Sequence, residues 1–250
     1  MEDKVFDRIE KKYLITKQDK RKLIKLIKRN MNKDSYHKSE VLNIYFDNDS
    51  YELITQSIDW VDFKEKVRAR SYAGYDRVFM EVKTKIHPTR QHGKHYEYED
   101  IEENIGYKRR VMITHEDFEE LLKHKTTLEA LAKRSIETKN DLQIAREIDY
   151  LLDHFKLKPK IFITYDRESY KDDKGLRITF DEHLKYRNRN LSLLKGKRDK
   201  IYFKDDHNII MEIKANGAIP LWLVHKLSES KLYPQKFSKI GKIYERINHV

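Results

Sequence analysis

The stretch Lys64-Glu65-Lys66-Val67-Arg68-Ala69-Arg70 puts a basic residue on every second position. In a β-strand successive side chains point to opposite faces, so Lys64, Lys66, Arg68 and Arg70 share one face and Val67 and Ala69 belong to the other. The same beat recurs in Glu81-Val82-Lys83, in Arg8-Ile9-Glu10-Lys11-Lys12 and in Glu212-Ile213-Lys214. One such strand makes a soluble edge. Several in one chain, each with an apolar second face, predict a sheet whose ionic face curls inward to hold a polyanion.

The composition agrees with a folded, basic protein. Its 250 residues carry a net charge of +11, yet Asp and Glu still number 42 and 38% of residues are hydrophobic, so this is not a disordered cationic tail. A basic excess on a folded chain favours anionic partners. No cysteine is present, which excludes disulfides, thiolate metal sites and a cysteine nucleophile. Met1 runs straight into Glu2-Asp3-Lys4, so no signal peptide is expected. No apolar run reaches the ~20 residues of a membrane helix, and a cytoplasmic protein with no membrane span is expected. There is no internal repeat and no Pro/Gly-rich linker, so residues 1–250 read as a single domain.

Outward from the opening stretch, Asp62 to Tyr72 and Arg77 to Lys85 form a hairpin across Ala73-Gly74-Tyr75-Asp76. Upstream, Lys4 to Thr16 reads as a strand, Gln18 to Met31 as an amphipathic helix and Val41 to Phe46 as a short apolar strand. Asp47-Asn48-Asp49-Ser50 then offers cap chemistry to a brief helix over Tyr51 to Gln56. Downstream, His87 to His95 reads as a loop and Tyr96 to Ile113 as extended, with a break near Asn104 to Gly106. Thr114-His115-Glu116-Asp117 is a capping box opening a helix to about Lys123, and a longer helix covers Lys139 to Phe155. Lys160 to Tyr170 and Leu176 to Tyr186 make a second hairpin. Asn188 to Lys200 reads as a loop, Ile201 to Phe203 and Ile209 to Ala215 as strands, and Pro220 to Ser230 as a helix.

Three groups of residues carry chemistry. A row of like charges repels unless counter-charges or a ligand lie opposite, and the hairpin partner supplies Glu81, Lys83 and Lys85 on one face. Arginine at alternate positions can grip successive phosphoryl groups, because a guanidinium fork matches phosphate oxygens. Tyr165, Arg167 and Ser169 alternate on one strand, and Arg177, Thr179 and Asp181 on its partner; for either arginine alone a surface role competes. Glu10, Glu81 and Glu212 each precede a lysine by two residues. They can pair with those lysines or ligate a hard cation such as Mg²⁺ or Mn²⁺. Glycine-rich phosphate loops and zinc-protease motifs are absent.

Taken in order, the segments resemble the VTC domain, the catalytic domain of polyphosphate polymerases within the triphosphate tunnel (CYTH-like) superfamily. The matching pieces are Arg8-x-Glu10-x-Lys12-Tyr13, Ile44-Tyr45-Phe46-Asp47, Lys66-x-Arg68-x-Arg70, Glu81-x-Lys83 and Lys108-Arg109-Arg110 in the first half. Tyr165-x-Arg167, Leu176-Arg177-x-Thr179-x-Asp181, Glu212-x-Lys214 and Phe237-Ser238-Lys239 complete the set. Hydrolytic members of the superfamily open with Glu-x-Glu-x-Lys, and here Arg8 stands in the first glutamate's place.

The resemblance implies an α+β fold: an antiparallel β-barrel tunnel with a charged lumen, flanked by helices. It implies Arg68, Arg70, Arg177 and Lys239 as catalytic residues, and Lys12, Lys83, Lys108, Tyr165, Arg167, Lys214, Lys236 and Ser238 as phosphate-binding ones. Glu212 is the metal residue for Mn²⁺ or Mg²⁺, with Glu10 and Glu81 as further candidates. The implied partners are ATP or another triphosphate and inorganic polyphosphate, with no specific nucleic acid. The implied activity is transfer of the γ-phosphoryl of ATP to a growing polyphosphate chain. A hydrolase or cyclase of the same superfamily, and a non-enzymatic module that binds RNA or polyphosphate, are the alternatives.

Overall fold

The computed structural model describes residues 8–59, 62–86, 105–135, 139–193, 199–203 and 208–248. In chain order its first elements are β1 (Arg8–Ile15), α1 (Lys17–Asn30), β2 (Asn32–Asp47), α2 (Glu52–Ile58), β3 (Phe63–Tyr72), β4 (Val78–Ile86) and β5 (Ile105–Ile113). Three helices follow, α3 (His115–Leu122), α4 (Leu128–Ser135) and α5 (Lys139–His154). The chain then runs through β6 (Lys158–Lys171), β7 (Arg177–Arg187), β8 (Lys200–Ile201), β9 (Ile209–Asn216), α6 (Leu221–Glu229) and α7 (Lys239–Asn248).

The strands pair in the order β1-β9-β7-β6-β2-β3-β4-β5, with β8 added to β7, which makes a mixed α+β protein with one large antiparallel sheet. The pairing path ends at β1 and β5, which are not paired with each other among the described residues. The α+β class of the sequence reading is therefore seen, whereas the closed barrel is not. Alternation of side chains decides which face a charge takes, but closure depends on strand tilt and stagger, which alternation does not encode.

Two compact units arise from this chain. The first draws on Met1–Val41, Thr164–Tyr186 and Asp199–Ser238, the second on Leu42–Ile163, Arg187–Arg198 and Lys239–Val250. In the first, Ile178, Phe180, Met211 and Ile213 form the apolar face of β7 and β9, and Leu23 and Ile27 of α1 and Leu223 and Leu227 of α6 pack on it. A capping box starts α1: the Thr16 hydroxyl accepts from the Asp19 amide, and the Asp19 carboxylate accepts from the Thr16 amide. The glycine at 175 closes the turn between β6 and β7 at φ +91°, where a Cβ would collide with the Asn216 side chain.

In the second unit, Val67 and Ala69 of β3, Met80 and Val82 of β4 and Val111 of β5 are buried with Phe118 of α3, Leu131 of α4 and Ile148 of α5. The apolar beat of the opening stretch thus faces helices, and its charged beat takes the other side of the sheet. The Thr114 capping box forms as the sequence predicts. Tyr51 at the start of α2 sits at φ 58° with no side-chain cap of its own. The Asp47 carboxylate serves instead, accepting from the amides of Leu53 at 3.1 Å and Ile54 at 2.8 Å.

Most element expectations are met within a residue or two, but β2 is far longer than the strand read over Val41 to Phe46. Its first half holds only exposed and half-buried residues, so there is no apolar face to betray it. The helices α4 and α7 also lie outside the sequence reading. The expectations over His87 to His95, and over Tyr96 to Asn104, fall outside the described residues. Among the described residues no helix is long and apolar enough to cross a membrane.

Candidate functional site

In the first unit, strand register assembles a charged cluster on the face opposite the helices. Glu10 lies opposite Lys214 and Lys12 opposite Glu212 where β1 meets β9, while Arg177 lies opposite Lys214 and Thr179 opposite Glu212 where β7 meets β9. The Lys214 ammonium is shared between Glu212 at 2.8 Å and Glu10 at 3.3 Å, and Lys12 reaches Glu10 at 3.4 Å. Arg167 donates two bonds of 2.7 Å to the oxygens of Asp181, the bidentate geometry in which a guanidinium is held most rigidly. Arg177 donates to the Ser169 hydroxyl at 3.2 Å and pairs with Asp34 at 3.0 Å. Burial alone would raise the Asp34 carboxyl, but the Ser35 amide, the Ser169 hydroxyl and the Arg177 charge hold it below the ordinary range. Among these side chains lies a small, partly open cavity of about 20 Å³ lined by Arg167, Arg177, Thr179, Glu212 and Lys214.

The segment after α6 returns to the same edge. The Gln235 amide donates to the Lys12 carbonyl at 2.7 Å, and the Lys12 ammonium donates to the Phe237 carbonyl at 3.3 Å. Lys236 and Ser238 are therefore carried beside β1, with Lys236 exposed and Ser238 half-buried. Lys239 opens α7 and belongs to the second unit.

The charged face of the second unit is organised around one carboxylate. Glu81 is 1% exposed and receives both the Nε and Nη2 of Arg68 at 2.7 Å and the Lys108 ammonium at 2.5 Å. Arg70 stands 3.9 Å from it and donates to the Asn43 side chain at 2.9 Å, and Arg68 also donates to the Tyr45 hydroxyl at 3.2 Å. Burial pushes Glu81 up, yet the charges of Arg68, Arg70 and Lys108 overcome it and bring its pKa down to about 2. Next along the strands, Lys66, Lys83 and Lys108 stand side by side in register, like charge against like charge. Register puts Lys108 and Arg110 on the charged face, opposite Lys83 and Glu81, whereas Arg109 points to the helix side and pairs with Glu147 at 2.6 Å.

A family model described as VTC domain matches residues 7–246. The chain belongs to the VTC domain family. No curated protein matches it. Among solved structures, this VTC domain is similar to the PH1819 protein from Pyrococcus horikoshii OT3, at 12% identity and a TM-score of 0.45 over 96% of this chain and 99% of that one. It is similar to the Schizosaccharomyces pombe Mediator head module at 6% identity and a TM-score of 0.43 over 90% of each chain. At these values neither likeness bears on the site.

The expected site residues of this VTC domain fall into two sets. Glu10, Lys12, Tyr165, Arg167, Arg177, Glu212, Lys214, Lys236 and Ser238 lie in the first unit, and Arg68, Arg70, Glu81, Lys83, Lys108 and Lys239 in the second. Sequence reasoning missed the residues that hold the arginines in place. Asp34 and Asn43 are 143 and 27 positions from the arginines they meet, and nothing in their local sequence marks them.

Among the described residues no three His, Cys, Asp or Glu side chains gather into a metal cage. Mg²⁺ seldom requires one, since it keeps several waters and takes one or two carboxylates together with substrate phosphates. Glu212 and Glu10 supply hard oxygens of that kind, and the Lys214 ammonium between them shows that positive charge is stabilised at that point. The donor set fits a divalent cation held by Glu212. Glu81 is different, because Arg68 and Lys108 already occupy its oxygens.

Proposed function

We propose that this VTC domain is a metal-dependent polyphosphate polymerase, which transfers the γ-phosphoryl group of ATP to the end of an inorganic polyphosphate chain and releases ADP. The family match over residues 7–246 is the observation that carries the reading, and the two cationic faces supply residues suited to it. A terminal phosphate oxygen of the acceptor attacks the γ-phosphorus in line, and the bond from that phosphorus to the β–γ bridging oxygen breaks. No side-chain nucleophile is needed, so the protein's work is positioning and charge neutralisation.

Each face has a part in this reading. In the first unit Lys12, Arg167, Arg177 and Lys214 bind phosphate oxygens, with Tyr165 stacked beneath Arg167 at 5.3 Å and Lys236 and Ser238 beside Lys12. Glu212 holds Mn²⁺ or Mg²⁺, which when bound adds Lewis-acid neutralisation of the phosphate oxygens. In the second unit the forks of Arg68 and Arg70 address phosphoryl oxygens while Glu81 fixes their orientation. Lys83 and Lys108 add point charges, and Lys239 stays in the reading as a catalytic residue.

Incubation with ATP and Mn²⁺ followed by electrophoresis tests the reading. Long polyphosphate and ADP are expected, and Glu212→Gln should abolish metal-dependent turnover while keeping the fold and part of the triphosphate affinity. Release of phosphate alone would make the protein a triphosphatase, and a cyclic nucleotide would make it a cyclase. Binding of polyphosphate or RNA without turnover would make it a binding module.

A further inference from the structure

Each polar group in the first unit's cavity has a partner, with one exception. Asp181 receives Arg167, Asp34 and Ser169 receive Arg177, and Glu212 receives Lys214. The hydroxyl of Thr179 has no hydrogen-bond partner among the described residues, although the residue is only 5% exposed and lines the cavity. Thr179 stands on β7 between Arg177 and Asp181, with Glu212 opposite it on β9. A buried hydroxyl left without a partner is unfavourable, and a valine would have the same shape and suit a strand as well. A threonine there is accounted for if its hydrogen bond is completed by something that enters the cavity.

The surroundings say what that is. Three of the five lining side chains are cations, and a hydroxyl can donate one bond. The geometry points to Thr179 as a phosphate-binding residue: its hydroxyl donates to a non-bridging oxygen of the phosphate chain held by Arg167, Arg177 and Lys214. This rests on reading the cavity as the place for a phosphate chain, and it adds a donor that carries no charge. Charged groups recognise a polyanion at long range and with little regard to direction, whereas a single hydroxyl on a rigid strand counts only when an oxygen stands at hydrogen-bonding distance. Thr179 therefore contributes to fixing where along the chain the phosphates stop.

The test is binding of inorganic tripolyphosphate, measured by calorimetry in the presence of a chelator so that metal plays no part. Thr179→Val should weaken binding roughly ten- to hundred-fold, the effect of losing one hydrogen bond to a charged group. Without ligand it should melt at the wild-type temperature or above, because no bond is lost and an unsatisfied group is removed. Thr179→Ser should restore most of the affinity, and Thr179→Ala should behave as valine does. Wild-type affinity in Thr179→Val, or a loss in Thr179→Ser equal to that of valine, overturns the assignment while leaving the phosphate cavity in place. Failure of the wild-type protein itself to bind tripolyphosphate overturns both.

Discussion

The two charged faces use the same residue types to different ends. Around Glu81 the carboxylate is buried and clasped by Arg68 and Lys108, and Arg70 is tied to Asn43. Around Lys214 one ammonium is shared by two carboxylates, Glu10, Lys12 and Lys214 stay about 30% exposed, and a buried hydroxyl has no partner among the described residues. The difference teaches how to tell a clasp from a berth. A buried carboxylate whose oxygens are both occupied holds its cations in position for a task elsewhere on their surface. A looser cluster with an unsatisfied donor has room for what it is built to receive.

The largest expected effect breaks the clasp. Glu81→Gln leaves Arg68 and Lys108 without their counter-charge and should cost about 3–5 kcal/mol in denaturant unfolding, since removing one partner of a buried pair strands the other. Glu212→Gln should cost less than that, because its partner Lys214 is 28% exposed and keeps Glu10 as a second counter-charge. Equal losses would erase the distinction between the two faces.

Acid sharpens the same comparison. Glu81 has a folded pKa of about 2, below its ordinary 4.5, so its contribution is fully present above pH 4.5 and fades as pH falls from there toward 2. About 3 kcal/mol of stability should disappear over that window. Glu81→Gln should flatten most of the dependence on an acid titration followed by circular dichroism. Asp34, also held below its ordinary value, should leave a remnant of the same sign in that variant.

Next comes Arg70, tethered through Nε and therefore fixed in direction. Arg70→Ala should lower kcat for polymer synthesis by roughly two orders of magnitude or more. Arg70→Lys should recover only part, since an ammonium cannot replace the fork. Full recovery would make it simply one more positive charge. The smallest effect belongs to Lys236, which is exposed: Lys236→Ala should shift stability by less than about 0.5 kcal/mol while weakening tripolyphosphate binding modestly. A large drop in melting temperature would show that it props up the segment against β1 instead.

The legible parts of this molecule were those written in short-range periods. Lys64 to Arg70 specified its faces because Val67 and Ala69 alternate with the charges, and Thr114 with Asp117 specified a helix start. The long first half of β2 escaped because Asn32 to Glu40 has no apolar beat, its pairing being settled by neighbouring strands instead of its own burial. Helix α4 escaped although Leu128, Leu131 and Ala132 are all buried, since eight residues give too few turns for the period to declare itself. Within the site, the grouping of Arg177, Thr179 and Asp181 was visible. The bidentate bond from Arg167 to Asp181 and the contact of Asp34 with Arg177 were not, because they join strands through register, which local sequence does not record.

The row of Lys66, Lys83 and Lys108 has a consequence for anyone handling the protein. Three lysines in register on a chain of net charge +11 concentrate positive charge, which draws dissolved anions from any buffer. Phosphate and sulfate then act as silent competitors, and affinities compare only at matched ionic strength. Polyphosphate carried over from the expressing cell has no ultraviolet chromophore, so a preparation can look clean by absorbance while the polyanion is still present. A high-salt wash and a phosphorus assay belong before the first binding curve.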